Sequence, residues 1–419
     1  MTAQRTRAQQ RELASTLLRE VADATRDGPG VTRESYGAGE EQALQILERH
    51  AGALGLLSER DRAQNLWFRL PGDTRTAPAL VIGSHVDSVP QGGNYDGLAG
   101  VVAGLLVLAD LQRRHTQTPP VRVLALRGEE SAWYGKAYVG SQALLGRLPA
   151  SALALAHRSG RGTLGEALAR CGADVDAIRR NEPLLDGRAI AAYLELHIEQ
   201  GPVMVARGWP AAAVTGIRGN IRHNSVRCLG ETGHSGAVPR WLRKDALLAV
   251  AELLSRMDEH WRVLLQMGMD LVMTSGICST PVQSHAVSVI PGEVQFSFEA
   301  RSQDADTLER FYTLMREECS AIESARGVRF VFDERLFTAP ATMDAAWIAR
   351  LTHAAAGQGM TLECMPSGAG HDAAVFANAG IASAMVFVRN AHGSHNPHEA
   401  MDVDDFLCAT SILAGALAL

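Results

Sequence analysis

The sequence predicts an α/β protein in which a domain built on a mostly parallel sheet is interrupted by an inserted ferredoxin-like α+β domain. Strands alternate with helices in the first half of the chain, and this alternation is typical of parallel βαβ units. The order changes in the middle to β-α-β-β-α-β, the pattern of a split βαβ sandwich, and the alternation returns near the end. A length of 419 residues also favours two domains. We expect residues 1–211 and 335–419 to form one domain and residues 212–334 the other.

Each element is identified by its hydrophobic period, which is 3.6 residues for a helix and two for a half-buried strand, or by a short apolar run. In the first domain the predicted elements are helices at residues 4–27 and 39–55, strands at Leu66–Leu70 and Leu80–Ser84, a helix at Gly97–Arg114, a strand at Val121–Leu126, a helical region at 141–181, strands at Ala191–Ile198 and Ala384–Val388, and a final helix at Val403–Ala418. In the inserted domain they are a strand region at Val214–Leu229, a helix at Arg240–Leu265, strands at Asp270–Cys278 and Val289–Ala300, a helix at Asp304–Ala325 and a strand at Val328–Phe332.

Composition and charge argue against several classes of function. A formal net charge of -6 offers no basic surface for nucleic acid. The N-terminal segment lacks the apolar core of a signal peptide, and the most apolar stretches, Val101–Leu111 and Ser411–Leu419, are too short to span a bilayer. The six cysteines form no CxxC pair, so neither a disulfide framework nor a thiolate zinc site is expected. We therefore expect a cytoplasmic protein that binds neither nucleic acid nor a membrane.

Candidate chemistry begins where the strand Leu80–Ser84 ends. Ligands of open α/β sheets gather at the carboxyl ends of strands, and the residues that follow this strand include His85 and Asp87. The imidazole of His85 can bind a divalent metal, and the carboxylate of Asp87 can hold that ring in its orientation. Taken alone, the pair is better explained as two polar residues that merely end a strand.

Two acidic segments follow along the chain. A glycine-rich loop delivers Asp96 just before a helix, where its carboxylate can bridge two cations about 3.5–4 Å apart or cap the helix. Glu129 and Glu130 come directly after the strand Val121–Leu126. Adjacent carboxylates repel each other unless a cation or proton lies between them. One of the two can therefore bind metal while the other acts as general base, and a solvated charge pair is the alternative.

Histidines supply the remaining candidate ligands. His197 lies in an apolar strand, where a hydrogen-bonded core histidine is the alternative, and the residues alone do not separate His392, His395 and His398 near the C-terminus. Together the five segments provide three imidazoles and two carboxylates at or beside predicted strand ends. That inventory suits two zinc-like ions, each with three protein ligands and open positions for water and substrate.

The segments taken together resemble the hydantoinase/carbamoylase family of amidases. The matching motifs are Gly-Ser-His85-Val-Asp87-Ser, Gly-Gly-Asn-Tyr-Asp96-Gly, Glu129-Glu130, Leu-Glu-Leu-His197-Ile-Glu-Gln-Gly-Pro and Ser-His395-Asn-Pro. The family includes N-carbamoyl-L-amino acid amidohydrolases, allantoate amidohydrolases, ureidoglycolate amidohydrolases and β-ureidopropionases. It belongs to the wider binuclear-zinc aminoacylase and carboxypeptidase superfamily. The resemblance covers nearly the whole chain.

The resemblance implies two divalent ions that share one carboxylate. The implied ligands are His85, Asp96 and His197 for one ion, and Asp96, Glu130 and His395 for the other. Glu129 is implied as the general base and Asp87 as the residue that orients His85. Zinc is the implied metal, although imidazole and carboxylate ligands also accept manganese, cobalt or nickel.

The resemblance also implies residues that bind a substrate carrying a carboxylate. Gln200 would face the substrate, and the Gly-Ala-Gly-His loop would supply Gly370 and His371, with His371 near the scissile carbonyl. Arg301 would grip the carboxylate, because a guanidinium fork matches it with two hydrogen bonds. His234, in a lid motif, would reach the neighbouring subunit's site, so a homodimer is implied. An exposed strand-end charge and a turn residue are the alternatives for these last two residues.

Three departures from the family pattern concern the substrate. Ser288 stands where relatives usually have Asn, and its hydroxyl is shorter and lacks the paired donors and acceptor of an amide. The run Glu129-Glu130-Ser-Ala-Trp-Tyr replaces Glu-Glu-Gly-x-Arg-Phe, and the lid reads His234-Ser-Gly-Ala-Val-Pro in place of His-Ala-Gly-Thr-Thr-Pro. We therefore expect the metal chemistry to be retained while the substrate stays undefined, with Ser288 kept as a candidate contact.

The expected function is a metal-dependent amidohydrolase that cleaves the C–N bond of an N-carbamoyl (ureido) amino acid or a related linear amide. An aminoacylase or dipeptidase that acts on N-acyl amino acids with the same metals is the close alternative. A non-catalytic binding protein is the remote one, because Glu129 and the full ligand set are both present.

Overall fold

The computed structural model describes residues 6–114 and 118–417. Its helices are α1 (Arg7–Ala24), α2 (Ala38–Ala53), α3 (Leu98–Arg114), α4 (Val139–Leu144), α5 (Leu164–Arg170), α6 (Val175–Arg179), α7 (Val203–Arg207), α8 (Ala246–Gln266), α9 (Ala305–Arg326), α10 (Ala345–Ala356), α11 (Asp372–Asn378) and α12 (Val403–Leu417). Its strands are β1 (Arg26–Asp27), β2 (Gly30–Val31), β3 (Leu57–Arg60), β4 (Leu66–Arg69), β5 (Ala79–His85), β6 (Val121–Leu126), β7 (Ile190–Ile198), β8 (Ala211–Ile217), β9 (Gly219–Leu229), β10 (Gly233–His234), β11 (Val272–Thr274), β12 (Cys278–Ser279), β13 (Val289–Ile290), β14 (Glu293–Ser302), β15 (Arg329–Phe332), β16 (Leu336–Thr338), β17 (Ala341–Thr342), β18 (Glu363–Ser367), β19 (Ser383–Val388), β20 (Asn390–Ala391) and β21 (Ala400–Met401). Residues 4 and 5 of the first predicted helix, and the apolar end from Ala418 onward, lie outside the described residues.

The chain divides into two compact units. The first contains the residues up to Thr215 and those from Thr342 onward, and the second contains Gly216–Ala341. The sequence places the divisions a few residues earlier, after residues 211 and 334. Each unit has its own buried apolar cluster.

The large sheet follows the order β17-β8-β19-β7-β5-β6-β4-β3, with β18 beside β8. Its four central strands, β19, β7, β5 and β6, run parallel to one another. The flanking pairs β19–β8, β4–β6 and β3–β4 are antiparallel. The prediction of a mostly parallel sheet is therefore wrong for the flanks, and the fold is α/β with a mixed sheet. The parallel neighbours β5 and β6 are joined through α3, the kind of crossover that parallel pairing requires.

The central strands are buried on both faces, which explains their nearly continuous apolar runs. Successive side chains of a strand point to opposite faces. Along β7, Leu194 and Leu196 join the core shared with α1, α3 and α12. Tyr193 points to the other face and stacks on Phe376 of α11, with ring centroids 3.9 Å apart. His197 shares the face of Tyr193, and a polar site can therefore form there without disturbing the apolar core.

The second unit runs β9, α8, β11, β14, α9 and β15 in chain order, which is the β-α-β-β-α-β order expected from the sequence. Its principal strands follow the order β11-β14-β9-β15, and these pairs are antiparallel. α8 and α9 both contact this sheet. α9 begins at the N-cap Asp304, whose carboxylate accepts the amides of Asp306 and Thr307, as is typical of an aspartate N-cap.

Two further predictions differ from the structure. The region 141–181 contains three short helices, α4, α5 and α6, in place of one long helical stretch, because glycines at left-handed positions such as Gly146 and Gly172 interrupt it. The strand region Val214–Leu229 is divided between β8 and β9. Among the described residues, the structure contains no helix that is long and apolar enough to cross a membrane.

Candidate metal centre

The carboxyl ends of the central parallel strands gather the candidate ligands of the first unit. His85 ends β5, Glu130 lies in the segment after β6, and His197 is the penultimate residue of β7. Asp96 precedes α3, and His395 lies in the turn between β20 and β21. Parallel neighbours end at the same edge of a sheet, which is where open α/β folds bind ligands. The structure therefore brings together all five residues that the sequence proposes as metal ligands.

Three ligand atoms converge at the first position. Nε2 of His85 lies 3.3 Å from Oδ1 of Asp96, and Nε2 of His197 lies 3.2 Å from the same oxygen. The two Nε2 atoms are 3.5 Å apart. All three side chains are buried, with exposures of 2%, 3% and 1% for His85, Asp96 and His197.

The hydrogen bonds of the two rings show which nitrogen is available to a metal. Nδ1 of His85 contacts the backbone oxygen of Asp87 at 3.1 Å, and Nδ1 of His197 contacts the backbone oxygen of Ile198 at 2.8 Å. A carbonyl oxygen accepts only, so each Nδ1 carries the proton when the ring is neutral. Each Nε2 therefore has its lone pair on the side of Asp96, and the Nε2 of His197 also accepts the amide of Gly97 at 3.2 Å.

This arrangement fits a divalent cation. Two lone pairs and a carboxylate oxygen facing one another repel unless a cation or proton lies between them. A tetrahedral zinc with bonds of about 2.0–2.1 Å separates its ligand atoms by about 3.3–3.4 Å. The three measured separations, 3.2, 3.3 and 3.5 Å, bracket that value. The donor set and its spacing thus both suit a zinc-like ion.

A second set of ligand atoms uses the other oxygen of the same aspartate. Nε2 of His395 lies 3.5 Å from Oδ2 of Asp96 and 3.3 Å from Oε1 of Glu130. These distances again match the edges of a tetrahedral site. The hydrogen bond to Glu130 raises the pKa of His395 to about 9. Unlike the other ligands, the side chain of His395 is half exposed, at 51%, so this position opens toward solvent.

Asp96 is the residue that joins the two sets. Burial would raise the pKa of its carboxyl, but the imidazoles of His197 and His85 hold that pKa well below its ordinary value. Oδ2 also accepts a hydrogen bond from Nε2 of Gln200 at 2.7 Å and contacts the hydroxyl of Ser394. Both oxygens are thus directed at polar partners on other segments of the chain, which is the geometry that a bridging carboxylate needs.

Asp87 is buried beside the first set, and its carboxylate connects three segments. It lies 3.4 Å from Nδ1 of His85, accepts the amides of Glu129 and Glu130 at 3.0 Å each, and accepts the Ser35 hydroxyl at 2.6 Å. One carboxylate therefore orients both the ring of His85 and the backbone of the paired glutamates.

Glu129 lies at the centre without belonging to either ligand set. Its Oε2 is 3.9 Å from Nε2 of His85. Burial raises the pKa of Glu129 well above its ordinary value; His85 opposes this rise and Glu130 adds to it. A carboxylate with a raised pKa is a stronger acceptor for a proton from water.

The Gly-Ala-Gly-His loop lies beside the first ligand set. His371 is buried, its Nε2 lies 2.8 Å from the hydroxyl of Ser367, and its ring packs edge-on against His197 with centroids 4.4 Å apart. Burial lowers the pKa of His371 well below its ordinary value, so the ring is neutral. Gly370 lies against Tyr138, whose hydroxyl would be 1.7 Å from an added Cβ. Only glycine fits there while Tyr138 keeps this position.

The other sequence-proposed residues belong to the second unit. His234, in β10, is exposed, and its Nδ1 accepts the amide of Gly236 at 3.1 Å. Arg301, in β14, donates from Nε and Nη2 to the two oxygens of Glu299 at 3.0 Å each. Ser288 is exposed, and its backbone oxygen accepts the amide of Ser235 at 2.8 Å. The roles of these three residues toward a substrate stay predictions.

Sequence reasoning missed several residues that support the centre. Arg33 is fully buried and donates to the backbone oxygen of Val86 at 2.5 Å and to Oδ1 of Asn94 at 3.1 Å. It therefore ties the segment after His85 to the Asp96 loop. Glu195 adds a further polar group, since it forms a potential ligand cluster with His197 and His371. The chain around Arg33 carries no periodic or motif signal that distinguishes it from a surface arginine.

Comparisons with known proteins identify relatives of the chain. The model of peptidase family M20/M25/M40 matches residues 81–419. The chain is 31% identical to an N-carbamoyl-L-amino acid amidohydrolase of Geobacillus stearothermophilus, over 92% of each sequence. It is 29% identical to an allantoate amidohydrolase of Escherichia coli K12, also over 92% of each. A solved hydantoinase/carbamoylase family amidase from Burkholderia ambifaria aligns over 96% of both chains with a TM-score of 0.83 and 30% identity.

The family model covers well over half of the chain, and the relatives match nearly its full length. The structure also contains clusters of side chains that can bind a metal, in keeping with the metal dependence of the family. The chain therefore belongs to peptidase family M20/M25/M40 and, within it, to the hydantoinase/carbamoylase amidases that its sequence motifs resemble.

Proposed function

We propose that this protein is an amidohydrolase that cleaves the C–N bond of an N-carbamoyl (ureido) amino acid or a related linear amide with water. One observation carries the proposal: two ligand sets share the carboxylate of Asp96, with Glu129 beside them. The names of the relatives, which describe hydrolysis of carbamoyl amino acids and of allantoate, support the same class of reaction.

The proposed cofactors are two divalent ions, with zinc as the first candidate and manganese, cobalt and nickel as alternatives. The first would be held by His85, Asp96 and His197, and the second by Asp96, Glu130 and His395. When bound at such a position, divalent ions lower the pKa of water toward about 7 and polarise a carbonyl oxygen. The convergence of lone pairs on both sides of Asp96 supports this assignment.

Glu129 is proposed as the general base. It accepts a proton from water as the water oxygen bonds to the amide or ureido carbon, and it returns a proton to the nitrogen as the C–N bond breaks. From an N-carbamoyl amino acid the products are the amino acid, ammonia and carbon dioxide. The raised pKa of Glu129 and its position outside both ligand sets support this role. Asp87 would hold His85 and the Glu129 backbone in place.

Substrate binding is proposed for residues of both units. Gln200, Gly370 and His371 would contact the substrate from the first unit. Arg301 would bind the carboxylate of the substrate, and Ser288 would be a further substrate contact. His234 from a second copy of the chain would stabilise the charge that develops on the carbonyl oxygen.

We also propose a role for each unit. The first unit would be the catalytic domain. The second, with its ferredoxin-like element order, would act as lid and dimerisation domain and exclude water from the substrate on closure. A reducing, cytoplasmic location is proposed as well, and the six free cysteines support it.

Two neighbouring variants test the proposal. Glu129→Gln removes the base and leaves both ligand sets complete, so we expect two bound ions and a turnover lowered by about 10²–10⁴-fold. Glu130→Gln removes a ligand, so we expect loss of one ion. The assay measures released ammonia or amine with N-carbamoyl, N-formyl and N-acyl amino acids, allantoate and ureidoglycolate.

Each alternative has its own outcome in that assay. Full turnover by Glu129→Gln would show that another residue is the base. A preference for N-acyl amino acids would favour the aminoacylase or dipeptidase reading. Fewer than two ions per chain in the unmodified protein, measured by mass spectrometry, would favour a non-catalytic binding protein.

A further inference from the structure

The carboxylate of Glu399 lies between the loops that carry Asp96 and His395. It is buried, with 7% exposure. Its Oε1 accepts the backbone amides of Tyr95 at 2.7 Å and Asp96 at 3.2 Å. Its Oε2 accepts the hydroxyl of Ser394 at 2.5 Å. One side chain thus joins the backbone at Asp96 to the hydroxyl of Ser394, across about three hundred residues of sequence.

The glycine-rich loop is shaped around this carboxylate. A Cβ added to Gly93 would lie 2.2 Å from the carboxyl carbon of Glu399, so only glycine allows the loop to pass this close. On the same loop, Asn94 is held by the guanidinium of Arg33. The backbone that carries Asp96 is therefore fixed at successive residues, and Glu399 fixes the two nearest to the bridging carboxylate.

The two ligand sets differ in how firmly the fold holds them. His85 and His197 are strand residues of β5 and β7, which pair directly with each other. His395 lies in a turn, is half exposed, and has a φ of +60°, a left-handed conformation that is unfavourable for a residue with a side chain. Asn390 and Asn396 hold this turn internally through the backbone oxygens of Gly393 and His392.

A second link joins this turn to the aspartate. The hydroxyl of Ser394, the residue before His395, contacts both Oε2 of Glu399 and Oδ2 of Asp96. Glu399 therefore fixes Ser394 relative to the Asp96 backbone. The distance between His395 and Asp96, which lie on two different loops, depends on this contact.

We propose that Glu399 is a positioning residue for the second ion, the one assigned to Asp96, Glu130 and His395. It acts through the backbone amides of Tyr95 and Asp96 and the hydroxyl of Ser394, and it holds the two loops at a fixed separation. The first ion depends on it much less, because paired strands supply two of its three ligands, His85 and His197. This inference rests on the proposed binuclear centre and adds to it an unequal dependence of the two ions on one buried carboxylate.

The test is a Co²⁺ titration of the metal-free full-length protein. Binding is measured by calorimetry and by the visible absorption of bound cobalt. Glu399→Ala removes all three contacts, and we expect affinity for the second ion to fall by about 10–100-fold, the usual range for residues that support metal ligands. Affinity for the first ion should change less than about twofold on the same scale. Glu399→Gln keeps an oxygen for the two amides but loses the acceptor for Ser394, so we expect a smaller loss. Glu363→Gln, at an exposed position of β18, is the matched control and should bind both ions like the unmodified protein.

Three results would overturn the inference. Unchanged binding of both ions by Glu399→Ala would show that the contacts do not matter for the metal. Equal weakening of both ions in Glu399→Gln, together with a lowered unfolding temperature of the metal-free variant, would show a general structural role. Fewer than two ions in the unmodified protein would overturn the proposed centre itself. This third result is distinguishable from the first two because it appears without any substitution.

Discussion

A buried ion pair behind the glutamates of the centre allows a quantitative prediction. Arg127 and Glu40 are both fully buried, and Nε of Arg127 donates to the Glu40 carboxylate at 2.6 Å. The same carboxylate accepts the amides of Tyr36 at 2.8 Å and Gly128 at 3.0 Å. Because Gly128 directly precedes Glu129, the pair also supports the loop that carries the proposed base.

The substitution Glu40→Ala leaves the buried guanidinium of Arg127 with one carboxylate partner among the described residues, the one-third exposed Glu41 at 3.2 Å. Removing one partner of a buried pair costs about 3–5 kcal/mol, because the remaining charge is uncompensated. Glu41→Ala is the matched control one residue away. It removes a partly exposed partner and should cost no more than about 1 kcal/mol.

The assay is urea unfolding followed by circular dichroism. Burial raises the pKa of Glu40 to about 7 against the opposing effect of Arg127, so the measurement is made at pH 8, where the carboxylate is ionised. With a slope of about 3 kcal/mol per molar urea, the midpoint for Glu40→Ala should fall by about 1–1.7 M. A shift no larger than that of Glu41→Ala would refute the reasoning.

Two further predictions concern metal removal and thiol reactivity. All five proposed ligands lie in the first unit, so chelation should lower the unfolding temperature of that unit in calorimetry and leave the transition of Gly216–Ala341 unchanged. Each ion at a hundredfold excess over its Kd adds about 2.7 kcal/mol to the free energy of unfolding. Added zinc should restore the first transition, and a shift of both transitions on chelation would contradict the prediction. Burial raises the pKa of Cys228 to about 12, whereas Cys278 is exposed. Iodoacetamide at pH 8 should therefore modify Cys278 and spare Cys228 in the folded protein, as read by peptide mass spectrometry; equal modification of the two would contradict the burial of Cys228.

The sequence predicts most of the fold because hydrophobic periods determine which segments are helices and which are buried strands. The central strands β5, β6, β7 and β19 are found within one or two residues of their predicted bounds. The antiparallel flank is not predicted, since β3 (Leu57–Arg60) is short and mostly exposed and carries no apolar alternation. Strand direction at the sheet edge depends on pairing partners, which local patterns do not contain.

The candidate centre is predictable to the extent that its residues follow strands. His85, Glu130 and His197 are recognisable because polar residues interrupt or end apolar runs there. His395 is different: three histidines lie within seven residues, and only the family resemblance selects one of them. The structure brings His395 to Asp96 and Glu130, a contact that depends on the turn between β20 and β21.

Supporting residues are the least predictable part. Arg33 and Glu399 act through contacts with loops far away in sequence. Nothing in their own neighbourhoods marks them as buried, since charged residues are normally exposed. Only the tertiary structure shows that both residues hold the loop that carries Asp96. Arg33 binds Asn94, and Glu399 accepts the amides of Tyr95 and Asp96.

The central claim is that Asp96 bridges two ions, and anomalous X-ray diffraction from zinc-loaded crystals at the zinc edge tests it most directly. We expect two peaks about 3.5–4 Å apart, each about 2.0–2.2 Å from a different oxygen of Asp96. One peak should also contact His85 and His197, and the other Glu130 and His395. A single peak, or two peaks that do not share Asp96, would contradict the account.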